Sequence, residues 1–411
     1  MPEKKKAQKK DHIILVIGDW FIDENWLVAK HNTYTSTHTG DVHYLIKHEK
    51  IGKRMTSLCG VPEILEALRS NLGKNYSFIG VGVWNIYDSD ILRCILCPDE
   101  DGKRKQRLEL MTPYTIKGLK EVTSNECPYT KSRCEYQPLL VNLASKEIGQ
   151  ECSTNHIIRI FEGYGGGQPH IASRIDWEIP SANLDYKDLE KTIRRKNIVG
   201  VVIEDHNKGT VTMATITKII ETLGEERIRK IKWYIRSKLD NPPWLEKLTK
   251  TLRNMSKRRN TKIRLRVVDN KLAMHKKGPR KWRYGMELGR ASLEILGELT
   301  GDQMYKHGEP VNGKNLHTER IAILLDDNTV ISKDKESCFN ISDTYGPKQL
   351  INIGRTTRFF SDLIYQDIMN NYKGDFYTEC YNALHCAFEW SRTASQAWNN
   401  EKLFFWGDFK A

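Results

Sequence analysis

Five apolar runs, each closed by a polar or glycine turn, set the architecture open to this chain. "HIILVIGDW", "YSFIGVGVW", "NIVGVVIEDHNKG", "IRKIKWYIRSK" and "ERIAILLDDNTVIS" are rich in β-branched residues, the pattern of buried strands, with the last reading as a strand or hairpin. Stretches of helical spacing lie between them. "VPEILEALRSNLG" puts Ile64, Leu65, Leu68 and Leu72 on one face with Gly73 as a C-cap, and "MATITKIIETLG" and "MELGRASLEILGELT" read the same way. Alternating strands and helices predict an α/β fold around a mostly parallel sheet. Two further segments read as strand pairs. "YTSTHTGDVHYLIKHEKIG", about residues 31–50, reads as a half-exposed strand pair. "HIIRIFEGYGGGQPHIASRIDWEI", about 157–178, reads as two strands joined by a Gly-rich hairpin, with Arg174, Asp176 and Glu178 on one face. The pattern weakens over 112–155, which reads as an insertion, and "FYTECYNALHCAFEWSRTASQAW" predicts two C-terminal helices.

The 411 residues are 39% hydrophobic and 28% charged, as in a soluble globular chain. No run approaches eighteen apolar residues, and "MPEKKKAQKK" has no apolar core behind it, so residues 1–11 are expected to form a basic tail and the protein to be cytoplasmic. The nine cysteines are scattered, unlike a disulfide framework. Cys94 and Cys97 have metal-ligand spacing, with Cys127 and Cys134 as conceivable partners, but buried thiols are the preferred reading and no metal is expected there.

The net charge of +13 is concentrated. Residues 253–283, bounded by Arg253 and Arg283, hold thirteen Lys or Arg against one acid, Asp269. Either this is a solvated face inserted over 249–283, or it is an electrostatic footprint for nucleic acid or another acidic partner.

Ligands of parallel α/β sheets gather at the carboxyl ends of strands. "GDWFID", "EDHNKG", "RSK" and "GRTT" occupy such places. Their order resembles the ribokinase/PfkB family of carbohydrate kinases, most closely its bacterial heptose-phosphate kinase branch. "GDWFIDENW", "VVIEDHNKGTV" and "SRIDWE" are similar to motifs of that branch, and the likeness spans residues 12–395, leaving 396–411 as a tail. It implies a ribokinase-like three-layer fold with a small β lid, formed by the strands about 31–50 and 157–178, that often pairs two subunits, and binding of ATP with Mg2+ and a sugar, sugar phosphate or nucleoside.

By the same resemblance Asp19 and Asp23 fall near the sugar hydroxyls, with strand capping and turn formation as the alternative. Gly60, Glu63 and Arg174 fall on the substrate side. Asp205, Lys208, Lys238, Gly354, Arg355 and Thr356 fall on the phosphate and nucleotide side. The departures carry the functional reading. Cys59 and Glu63 replace a Gly and an Asn, "VDNKLA" stands where Asn-x-x-Glu is expected, and Arg236 and Ser237 precede Lys238 in place of Asp-Pro. Thr357 stands where the family has its catalytic Asp. A Thr hydroxyl cannot accept the proton of an attacking alcohol near neutral pH. Asp362 lies about 7.5 Å further along the helix, so it is a poor substitute. Two functions remain: a pseudokinase acting as a sugar-phosphate or nucleotide sensor or assembly subunit, or an active kinase with Asp205 or Glu204 as base. Nucleic-acid binding through the basic segment is a third.

Overall fold

A computed structural model describes residues 12–28, 32–35, 42–45, 51–73, 75–85, 139–144, 154–162, 170–177, 184–238, 242–255, 263–269, 305–306, 309–310, 318–324, 329–333, 338–342 and 355–399. The strands up to the first crossover are β1 (His12–Gly18), β2 (Trp20–Val28), β3 (Asn32–Thr35), β4 (Val42–Leu45), β5 (Ile51–Gly60), β6 (Tyr76–Gly82) and β7 (Leu139–Asn142). There follow β8 (Asn155–Glu162), β9 (His170–Trp177), β10 (Ile198–Asp205), β11 (Lys232–Ser237) and β12 (Ile263–Asp269). The last are β13 (Tyr305–Lys306), β14 (Glu309–Pro310), β15 (Thr318–Leu324), β16 (Thr329–Lys333) and β17 (Cys338–Ser342). The helices are α1 (Val61–Leu72), α2 (Lys187–Ile193), α3 (Met213–Ile228), α4 (Pro243–Met255), α5 (Arg355–Met369) and α6 (Phe376–Asn399).

The central sheet has the order β17-β16-β15-β12-β11-β10-β1-β6-β7. From β15 to β7 every neighbour pair is parallel, and β16 and β17 add an antiparallel edge. Strand β1 lies inside this sheet, so both of its faces are covered. Ile14 and Val16 join a core made with α1, α5 and α6, while Ile13, Leu15 and Ile17 join a second core made with α2, α3 and α4. A doubly buried strand needs apolar side chains at every position, hence the unbroken "IILVI".

A second sheet, ordered β5-β2-β8-β9, sits over the carboxyl end of β1, because β2 leaves directly from Asp19 and β5 runs directly into α1. The expected lid strands differ here in their first half. Among the described residues, 32–35 and 42–45 pair with each other alone, and the strands flanking them in sequence, β2 and β5, enter the second sheet.

Three other expectations are corrected. Residues 249–283 are not an insertion throughout: α4 runs to Met255, and β12 is an inner strand between β11 and β15. A register shift between Trp233 and Tyr234 leaves Arg264 without a partner residue on β11, which puts Ile263 into one core and Leu265 and Val267 into the other. Residues 139–142, inside the expected insertion 112–155, form the edge strand β7. The two predicted C-terminal helices are one, α6, which has no Gly or Pro to break it and passes residue 395. The tail 1–11, the cysteines at 94, 97, 127 and 134, Gly354, and the predicted helix 286–300 lie outside the described residues. No helix among the described residues is long and apolar enough to cross a membrane.

Candidate functional site

Loops converge where β1, β10 and β11 end, and the first contact is between backbones. A Cβ on Gly18 would meet the Glu204 carbonyl oxygen at 1.8 Å, and Asp19 N donates to that same oxygen at 3.1 Å. Only glycine permits this crossing. Beyond it, Asp19 accepts from three backbone amides of the following loop, His206 N at 2.8 Å, Lys208 N at 3.1 Å and Thr210 N at 3.2 Å. Its carbonyl accepts from Val61 N at 3.1 Å. With 0% exposure, its pKa is pushed up to about 6, chiefly by burial and then by Asp205. Asp19 therefore folds the "HNKGT" loop and anchors α1. Its oxygens are engaged by amides, the capping and turn-forming role that stood as the alternative to sugar contact.

Asp205 is committed in the same way. It accepts from Asn207 N and Trp244 Nε1, both at 2.8 Å, and from Ser237 Oγ at 3.2 Å, tying the turn to β11 and α4. Burial raises its pKa, but a carboxylate holding two elements together is a poor proton acceptor for a substrate. Asn207 and Gly209, with φ of 61° and 92°, give the turn its left-handed bends.

The first turn of α5 faces this cluster from the other side. Arg236, at the end of β11, donates from one nitrogen to Glu204 in a close ion pair and to Thr357 Oγ1 at 2.9 Å. Glu204 and Arg236 are neighbours across the β10–β11 border. Glu204 also pairs with His206 Nε2 at 2.7 Å. All four residues are buried. The Thr357 hydroxyl is thus already hydrogen-bonded by a guanidinium. Asp362, one turn on, is bound to Arg358 at 3.2 Å, and burial pushes its pKa up to about 6.

The second sheet and α1 complete the enclosure. Gly60 is the N-cap of α1 at φ 71°, where a Cβ would strike the Asp19 carbonyl oxygen at 2.3 Å; this packing accounts for its being glycine. Asp23 is fully buried and holds Arg159 at 2.8 Å through one oxygen, leaving Oδ1 without a donor. Glu63, with 1% exposure, has no partner for either oxygen. Its pKa is raised well above the usual carboxylate range by burial, with Arg236 opposing and Glu204 and Asp23 adding to the rise. Cys59, within reach of Asp23 and Glu63, has its thiol pushed up as well, so it is held protonated. Arg174 is exposed on β9 and pairs with Asp176 at 2.6 Å, while its charge acts on Asp23.

With this geometry in view, comparison with known proteins gives a fold. No family model matches, and no curated protein matches by sequence. Among solved structures, the tetrameric inhibited form of phosphofructokinase-2 from Escherichia coli aligns with TM-score 0.50 and 11% identity, over 93% of this chain and 95% of that one. The same enzyme in complex with fructose-6-phosphate aligns with TM-score 0.50 and 9% identity, over 93% and 94%.

The fold is ribokinase-like.

An Arabidopsis thaliana ribokinase complexed with ribose and ATP aligns more loosely, with TM-score 0.46 and 11% identity, over 92% of this chain and 91% of that chain.

On this ribokinase-like frame the structure brings Asp19, Asp23, Gly60, Glu63, Asp205, Lys208, Lys238, Arg355, Thr356 and Thr357 to one end of the central sheet. Lys238 lies close enough to draw on the Cys59 thiol. Sequence reading missed Arg236 as a site residue. Its signal was a charge at the end of an otherwise apolar strand; the neighbour that explains it, Glu204, is set by strand order.

The basic segment is corrected in part. Arg264 and Arg266 belong to β12 and are 6% and 5% exposed. Arg264 binds Asp367 and, at 2.7 Å, Glu319. These two charges serve the core, and Lys257, Arg258 and Arg259 lie outside the described residues.

Glu63 yields a prediction about stability. An acid whose folded pKa is raised adds nothing unfavourable below its ordinary value of 4.5 and an increasing penalty as pH rises above it. Glu63→Gln is therefore expected to raise the melting temperature at about pH 8 and to change it little at about pH 4. Equal shifts at both pH values would show that Glu63 is solvated or paired.

Proposed function

We propose that this ribokinase-like protein has lost phosphotransfer and serves as a binding protein for a sugar phosphate or nucleotide, acting as a sensor or assembly subunit. One observation carries the reading: the Arg236–Glu204 pair engages Thr357, the residue at the proton-acceptor position. Transfer to an alcohol requires a base there. Arg236 would in addition pull any nearby carboxylate toward an ion pair.

Binding is a separate matter. The N-terminus of α5 favours an anion through its dipole and first-turn amides, and Arg355, Thr356, Gly354, Lys208 and Lys238 are proposed to surround it. ATP fits such a set as a polyanion. For Mg2+, no group of three or more His, Cys, Asp or Glu among the described residues is arranged to hold a metal ion, and no step is assigned to it. Pairing of two subunits through β9 and its sheet is proposed by likeness, and a nucleic-acid or acidic partner for the basic segment is proposed on charge alone.

An active carbohydrate kinase is the second reading, favoured by the phosphofructokinase neighbours. It needs a base other than Asp205, whose oxygens are engaged. The test is ligand binding by the whole protein. A sugar phosphate or nucleotide is expected to raise the melting temperature by several degrees, and Arg355→Ala to reduce that shift. A panel of both ligand classes that leaves the melting temperature unchanged would refute the binding reading.

A further inference from the structure

Around the first turn of α1 the charges pair off and leave one carboxylate over. Arg159 is held by Asp23, Arg236 by Glu204 and Arg358 by Asp362. Glu63 lies within electrostatic reach of Asp23, Glu204, Arg236 and Arg358, yet neither of its oxygens has a hydrogen-bond partner. Asp23 Oδ1 and Asn155 Oδ1 are likewise buried acceptors without a donor.

Register places these groups together. Phe21 of β2 is paired with Cys59 on one side and with Asn155 on the other, and Asp23 follows two residues later. Side chains at paired positions and at i, i+2 leave one face of a sheet, so Asp23, Cys59 and Asn155 share a face. Strand β5 ends at Gly60 and α1 starts at Val61, so Glu63, in the first turn of α1, stands close to Cys59 and that face. Four buried acceptor atoms, with at most one proton on Glu63 to share, are costly unless something supplies further hydrogen-bond donors.

The chemistry of the missing donor can be narrowed. A neutral polyol would satisfy the hydrogen bonds but leave Glu63 in the neutral form that burial favours, with no counter-charge to ionise it. An ammonium group supplies donors and the opposite charge together, and charge-assisted bonds are the stronger kind. Resting on the ligand-binding reading above, we propose that the junction of the second sheet with α1 selects a polyol bearing a primary amine. Glu63 receives the ammonium, and Asp23 and Asn155 receive neighbouring hydroxyls. Glu63 is then the residue that sets ligand class, while the anion at α5 sets affinity.

Calorimetric titration of the full chain with three probes tests this: glucosamine 6-phosphate, glucose 6-phosphate and N-acetylglucosamine 6-phosphate. The amine is expected to bind about tenfold tighter than the hydroxyl compound, as one added charge-assisted contact gives. Acetylation, which removes the charge, should abolish that advantage. In Glu63→Gln the ratio of glucosamine 6-phosphate affinity to glucose 6-phosphate affinity should fall from about ten to about one. Equal binding of amine and hydroxyl compounds by the wild type, or a preference that survives Glu63→Gln, would overturn the assignment and leave the ligand-binding reading standing. Binding of none of the three, nucleotides included as controls, would bring down both. The comparison among probes on wild-type protein holds even if the variant does not fold.

Discussion

Asp367→Ala is expected to lower folding stability by about 3–5 kcal/mol, the cost of leaving buried charges without their counterion. Asp367 lies on α5 and accepts from Arg264 of β12 at 3.0 Å, Arg320 of β15 at 3.1 Å and the Tyr234 hydroxyl of β11 at 3.0 Å. Burial and the nearby carboxylate raise the Tyr234 pKa well above the phenol range, so it remains a donor. Arg320 also binds Glu379 and the Gly374 carbonyl, and Arg264 binds the Tyr372 carbonyl at 2.8 Å. One carboxylate thus joins three strands to α5, and the two arginines carry the attachment on to the 370–375 turn and α6. Removing it takes from two buried guanidinium groups the carboxylate they share, although Glu319 and Glu379 and two backbone carbonyls still bind them. Urea unfolding is the check: the midpoint should fall sharply for Asp367→Ala and less for Asp367→Asn, which keeps an acceptor. An Asp367→Ala midpoint equal to wild type would mean that this network does not hold the helices to the sheet.

The second large effect concerns Asp19. Asp19→Ala would leave three loop amides without their acceptor in a buried turn, and about 3 kcal/mol or more is expected to be lost, since each unsatisfied group costs about 1–3 kcal/mol. The loop from His206 to Thr210 should open, seen as amide hydrogen exchange rising there more than at Val61, whose amide is bound to the Asp19 backbone carbonyl that the substitution keeps. A ligand-binding Asp19 would give the opposite result: ligand affinity lost, with exchange and stability unchanged.

The sequence made the sheet plain where strands are doubly buried, because "IILVI" and "IVGVVI" have no polar alternative. It misled where charge overlies the same pattern. In "IRLRVVD" Ile263, Leu265 and Val267 alternate with Arg264 and Arg266, a strand signal that reads as a basic run until Asp367, 103 residues away, is found beside Arg264. Strand β7 was hidden by its brevity and by the irregular sequence around it. At the site, Thr357 stood out by resemblance, as a hydroxyl where the family has a carboxylate. The Arg236–Glu204 pair was not legible, since parallel strands bring together residues whose adjacency depends on strand order. The contacts of Asp19 and Asp205 with loop amides and with Ser237 and Trp244 were hidden for the same reason, since they cross between elements distant in sequence.

Loss of transfer is tested most directly by measuring phosphate transfer from ATP, with Mg2+ present, to a broad panel of sugars, sugar phosphates and nucleosides. The buried Arg236–Glu204–Thr357 arrangement predicts ADP formation no faster than the protein-free control with every acceptor, alongside thermal stabilisation by at least one phosphate-bearing ligand. Sustained, acceptor-dependent ADP formation, removed by Glu204→Gln or Glu63→Gln in a variant that still folds, would contradict it and establish an active kinase with a displaced base.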